Sequence, residues 1–120
     1  MSSNLMQYVV VRKDLLKMTG WSTGALITQA CHACVAVIHT YYSNSDTQKY
    51  LSDLDRMHKV TLETLDEESL VSLSKTLEEN NIDHKLWIEQ PENVPTCLAI
   101  RPYEKSQVQE YFKKFKLFRS

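Results

Sequence analysis

The sequence QYVVVRKDLLKMTGWSTGALITQACHACVAVIHTYY, residues 7–42, decides the fold of this chain. Its first six residues are rich in β-branched and aromatic side chains, which predicts a buried strand. Apolar residues then recur at helical spacing over residues 23–42, and Ser22 or Thr23 can cap the first turn, which predicts a long amphipathic helix. The apolar face is predicted to contain Leu26, Ile27, Ala30, Ala33, Cys34, Val37, Ile38 and Tyr41.

The rest of the chain predicts three more strands, alternating with helices. Strands are expected over residues 57–64, 84–89 and 96–101, and helices over residues 47–54, 66–80 and 104–115. The short loop between the last two strands contains Pro91 and Pro95 and suits an antiparallel pair. The first two crossovers should link parallel strands. We therefore expect a single α/β domain: a mixed four-stranded sheet with helices on both faces, in the order β-α-(α)-β-α-β-β-α.

Composition excludes several classes of protein. A chain of 120 residues with 42% hydrophobic and 24% charged residues is typical of one folded domain and not of a disordered chain. A net charge of −1 gives no overall attraction to nucleic acid, so such binding needs a local basic patch. No signal-peptide pattern and no run of 18 apolar residues is present. We expect a cytoplasmic protein with reduced thiols and a flexible N-terminus over residues 1–6.

Four motifs carry a resemblance to a known family. They are VVVRKDL at 9–15, GALITQACHA at 24–33, LDRMHKV at 54–60 and NIDHKLWIEQPENVPTCLAIRP at 81–102. The chain resembles the type-2 peptidyl-tRNA hydrolases, most closely their eukaryotic branch, over a domain of residues 7–118. The resemblance implies hydrolysis of the ester that joins a peptide to the 3′ ribose of tRNA, with no metal and no cofactor. It implies peptidyl-tRNA as the partner and allows a homodimer.

The resemblance also implies the catalytic residues Gln29, His32, Glu89 and Thr96. His32 and Glu89 would handle the attacking water, and Gln29 and Thr96 would position the ester. Each residue keeps a structural alternative. His32 can bond a backbone carbonyl, Glu89 can be a solvated carboxylate or pair with Lys85, Gln29 can be a helix-surface amide, and Thr96 can be a β-branched strand starter.

Two departures from the family pattern leave a second function open. Ala25 stands where the family has a lysine, and the loop at 90–95 is shorter than the family's Gly-Arg-Thr loop. Both changes remove groups that can stabilise negative charge in a transition state. The alternative is therefore a non-catalytic family member that binds tRNA or a protein partner.

The expected tRNA contacts are basic and aromatic. Five lysines can meet phosphates, and Trp21, in a loop before the long helix, can stack on the terminal adenosine. The lysines are Lys13, Lys17, Lys113, Lys114 and Lys116. The C-terminal lysines can equally complement a helix dipole.

The spacing of Cys31 and Cys34 is that of redox and zinc motifs. A redox pair normally lies at a helix start and a zinc site needs four ligands, whereas this pair lies two turns inside the predicted helix without a second such motif. We therefore expect buried structural thiols, and Cys97 is expected in the core.

Overall fold

The computed structural model describes residues 4–119, which form six strands and four α-helices. The strands are β1 (Leu5–Arg12), β2 (Lys59–Thr64), β3 (His84–Glu89), β4 (Val94–Ile100), β5 (Tyr103–Glu104) and β6 (Lys116–Leu117). The helices are α1 (Thr23–Thr40), α2 (Ser45–Leu51), α3 (Glu67–Glu79) and α4 (Lys105–Val108). The predicted α/β class is confirmed. No helix within the described residues is long and apolar enough to cross a membrane.

The strands form one mixed sheet in the order β3-β4-β1-β2-β6, with β5 paired to the first residues of β1. β1 and β2 are parallel, and β3 and β4 are antiparallel, as the sequence predicts. The expected count of four strands is wrong, because β5 and β6 add two short strands. Each contains two residues, which is too short for a pattern of alternation to show in the sequence.

Alternation along β1 divides the core into two layers. Tyr8 and Val10 belong to a cluster with residues of α3 and α4, whereas Val9 and Val11 belong to a cluster with residues of α1. Successive side chains of a strand point to opposite faces, so the central strand is buried on both. The helices therefore cover both faces of the sheet, as expected.

The predicted helix over residues 104–115 is wrong in length. α4 ends at Val108 and is followed by one 3-10 turn, Gln109–Tyr111. Phe112 is buried and its ring stacks on Tyr8 with ring centroids 4.3 Å apart. This contact fixes the chain against the sheet, and the following residues extend along β2 as β6.

Two other sequence expectations also need correction. Leu5 and Met6 are buried residues of β1, so they do not belong to a flexible N-terminus; residues 1–3 of that prediction lie outside the described residues. The sequence predicts Ile27 on the buried face of α1, but its side chain is 60% exposed. α1 covers the sheet with a narrower face than the periodicity suggested, and Leu26, Ala33 and Val37 form its buried centre.

Candidate active site

The start of α1 fixes the helical part of the site. Ser22 Oγ accepts a hydrogen bond from the backbone N–H of Ala25 at 3.1 Å, so Ser22 is the expected helix cap. Gln29 and His32 follow in the next turns. Because residues three apart lie on one flank of a helix, both side chains lie on the flank that faces β3 and β4.

A β-bulge fixes the contribution of β4. Cys97 pairs with Trp87 and Pro95 pairs with Ile88, which leaves Thr96 without a partner in β3. In a regular strand, Thr96 and Cys97 would point to opposite faces. At the bulge both reach α1: the Thr96 hydroxyl donates to Gln29 Oε1 at 3.0 Å, and Cys97 Sγ donates to the Gln29 carbonyl at 3.3 Å. The bulge thus turns Thr96 towards the site.

The end of β3 supplies the carboxylate. Trp87 and Glu89 are two residues apart and share a face of the strand, where the indole N–H donates to Glu89 Oε1 at 3.1 Å. The hydrogen bond from Trp87 is the main cause that lowers the pKa of Glu89, and the Gln29 side chain and nearby His32 act in the same direction. Glu89 is therefore ionised at neutral pH.

His32 completes the arrangement. Its imidazole stacks on the indole of Trp87, with ring centroids 4.9 Å apart and an interplanar angle of 27°. We call the five residues Gln29, His32, Trp87, Glu89 and Thr96 the Glu89 cluster. The structure brings together the four residues that the resemblance implied, and their catalytic roles stay predictions. Trp87 was missed as a member, although its spacing from Glu89 already placed both on one face.

Burial separates the cluster into two layers. Gln29 is 3% exposed and Thr96 is fully buried, whereas His32 is exposed and Glu89 is half-buried. The alternative of a helix-surface amide for Gln29 is therefore wrong. Among the described residues, no lysine or arginine lies within 4.0 Å of the Glu89 carboxylate, so the pairing with Lys85 is also absent.

The expected tRNA-binding residues lie in several environments. Lys17, Lys113, Lys114 and Lys116 are exposed, whereas Lys13 is partly buried. Lys13 Nζ lies 3.5 Å from Glu63 Oε1 and 5.9 Å from the centre of the Phe118 ring, which places it beside β2 and the C-terminal segment. Trp21 packs against the α1 side of the core, so only part of its ring is accessible for stacking.

The three cysteines also differ in solvent exposure. Cys97 is buried as expected, and burial raises its pKa to about 12, which keeps the thiol protonated. The expectation of buried thiols is wrong for Cys31, which is exposed on the opposite flank of α1 and lines an apolar pocket of about 310 Å³. Within residues 4–119, no group of three His, Cys, Asp or Glu side chains is arranged to hold a metal ion.

The fold and site define an α/β protein with a carboxylate and an imidazole held side by side at the surface. The chain belongs to the family described as "Peptidyl-tRNA hydrolase PTH2", whose profile matches residues 5–118. Two similar proteins are "Putative peptidyl-tRNA hydrolase PTRHD1" from Mus musculus and from Homo sapiens. Each is 53% identical over 116 residues, which cover 96% of this chain and 83% of the relative.

The buried bond between Thr96 and Gln29 leads to a prediction about stability. Thr96→Val keeps the shape of the side chain but leaves Gln29 Oε1 buried without this donor. We expect a loss of about 1–3 kcal/mol in the free energy of unfolding, measured by urea denaturation. Thr61→Val, the same change at an exposed position of β2, should alter stability by less than about 0.5 kcal/mol.

A second variant separates the hydrogen bond from packing. Replacing both partners, in Gln29→Leu with Thr96→Val, should recover part of the loss because no buried acceptor is then left without a donor. Equal stability of the single Thr96→Val variant and the original protein would contradict the assignment.

Proposed function

We propose that this protein hydrolyses the ester between a peptide and the 3′ ribose of tRNA. Membership of the peptidyl-tRNA hydrolase family supports this reaction class. The main observation behind the proposal is that the ionised carboxylate of Glu89 and the exposed imidazole of His32 both contact the side chain of Trp87. Ester hydrolysis requires an oriented water and a group that accepts its proton.

The Glu89 carboxylate and the His32 imidazole suit different steps of this reaction. A general base works best when its pKa is near the working pH, and the lowered pKa of Glu89 makes this carboxylate a weak base. Glu89 is better suited to orient the water and to stabilise a neighbouring positive charge. We therefore assign proton abstraction to His32, whose charged form the Glu89 carboxylate would stabilise.

The two buried groups suit a supporting role. Because the Thr96 hydroxyl donates to Gln29 Oε1, the Gln29 amide is oriented with its N–H groups free to donate to Glu89. This role differs from the expectation that Gln29 and Thr96 position the ester. We assign both to positioning Glu89, since their burial keeps them from solvent.

The tRNA would be held by the local lysines, since the net charge of −1 gives no overall attraction. We propose phosphate contacts for Lys13, Lys17 and the C-terminal lysines Lys113, Lys114 and Lys116, and a stacking contact for the accessible part of Trp21. Binding through phosphates should weaken steeply as salt is raised.

We further propose that the protein acts in the cytoplasm and that it forms a homodimer. Light scattering would test the homodimer by measuring the molar mass in solution.

The direct test uses an N-acetylated aminoacyl-tRNA with a labelled amino acid. Purified protein, verified as folded by circular dichroism, should release the label faster than a reaction without protein. Release no faster than this control would contradict the proposal. Salt-dependent tRNA binding without release would instead support the alternative, a family member that binds tRNA without catalysis.

A further inference from the structure

Trp87 contacts both chemical groups at the surface of the Glu89 cluster. Its indole N–H donates to one carboxylate oxygen of Glu89 at 3.1 Å, and its ring stacks on the imidazole of His32 with centroids 4.9 Å apart. The two contacts use different parts of one side chain. The indole therefore links a group on β3 to a group on α1.

We propose that Trp87 is a positioning residue that holds Glu89 and His32 in one relative geometry for hydrolysis. The assignment rests on the proposed function. Trp87 does not touch the reacting atoms and acts through its two neighbours. Small errors in the placement of reacting groups are costly, since a displacement of about 1 Å can lower a rate roughly a hundredfold.

A role in packing alone would require only the ring of Trp87. The ring does pack against the α1 side of the core. Its polar edge, however, is directed at the carboxylate that the proposed reaction uses. An indole N–H usually finds a partner when its ring is buried, and a carboxylate is a stronger acceptor than a neutral group.

The electrostatic surroundings make this contact measurable. The titratable groups that influence or face Glu89 are His32 on α1 and Cys97 on β4. Burial keeps Cys97 protonated and therefore uncharged near neutral pH. The hydrogen bond from Trp87 is the largest cause of the lowered pKa of Glu89. Its removal should therefore raise that pKa.

The test begins with Trp87→Phe, which keeps an aromatic ring for His32 and removes the N–H. We expect the pKa of Glu89 to rise, measured by ¹³C NMR of its side-chain carboxyl. We also expect kcat to fall roughly ten- to a hundredfold with KM little changed, because geometry and not substrate binding is lost. Ile88→Ala, at the adjacent exposed position, is the control and should leave both quantities unchanged.

A double-mutant cycle separates positioning from packing. In the background of Glu89→Gln, Trp87→Phe should lower kcat much less than in the original protein, because residues that act through one another are not additive. An unchanged pKa of Glu89, or an equal loss of kcat in both backgrounds, would overturn the proposal. If Trp87→Phe is poorly folded, 3-benzothienylalanine at position 87 removes the N–H while preserving the ring shape.

These measurements distinguish the inference from the proposed function. An original protein that releases no peptide from tRNA contradicts the proposed function and, with it, the catalytic role of Trp87. The NMR titration still reports, without any substrate, whether Trp87 fixes the Glu89 carboxylate.

Discussion

Replacing Glu89 with glutamine is expected to lower kcat/KM for peptidyl-tRNA by roughly a hundredfold to ten-thousandfold, because a charge that supports a catalytic histidine is removed. Glutamine keeps the size of the side chain and an oxygen that can accept from Trp87. It removes the negative charge that would orient the water and stabilise a protonated His32. The measurement is release of label from N-acetylated aminoacyl-tRNA at saturating and subsaturating substrate.

Two further variants control this experiment. Glu92→Gln makes the same chemical change in the exposed loop after β3 and should leave the rate unchanged. Glu89→Asp retains a carboxylate on a side chain that is one methylene shorter, and it should keep part of the activity. A Glu89→Gln variant as active as the Glu92→Gln control would remove Glu89 from the mechanism.

The direction of the Glu89 pKa also predicts the pH profile. A lowered pKa means that the carboxylate stays ionised to a lower pH than an ordinary glutamate does. Loss of activity on mild acidification must therefore come from a group other than Glu89. An acid limb that persists in the residual activity of Glu89→Gln would agree, and one that disappears in this variant would contradict the conclusion.

The second large effect is expected in the core. Leu98 lies in β4 between Val10 of β1 and Leu86 of β3, and its side chain is fully buried. Leu98→Ala removes buried apolar surface and leaves a cavity, so we expect a loss of about 2–5 kcal/mol in the free energy of unfolding. Domains of ordinary stability have only about 5–15 kcal/mol in total.

Urea denaturation of Leu98→Ala checks this value against a matched variant. Leu65→Ala truncates a leucine whose side chain is 80% exposed, and its stability should change by less than about 0.5 kcal/mol. Similar stability of the two variants would show that Leu98 is not held in a packed core.

The long elements could be predicted because their signals are local. Residues 7–12 and 84–89 favour strands by composition, and the periodicity over residues 23–42 marks α1. The errors occurred where distant residues decide the structure. In the sequence, the helical spacing of apolar residues continues to residue 115. In the structure, the stacking of Phe112 on Tyr8 holds this part of the chain in a non-helical conformation.

The candidate site was predictable only as a set of residues. Family motifs brought Gln29, His32, Glu89 and Thr96 together, but they did not reveal which of them are buried. That division depends on the bulge, which arises from pairing between β3 and β4 and cannot be read from either strand alone. Pro95 is the one residue in the sequence that suggests this bulge, because proline has no N–H and is common at irregular strand positions.

The two-residue strand β6 has a consequence beyond the sheet itself. Leu117 and Lys116 pair with Leu62 and Glu63, and the backbone N–H of Phe118 donates to the Thr61 carbonyl at 3.0 Å. These few residues occupy hydrogen-bonding groups along the outer margin of β2. Proteolytic loss of the C-terminal tail would uncover that margin and offer it to the strands of neighbouring molecules, so we expect the shortened protein to aggregate more readily than the intact one.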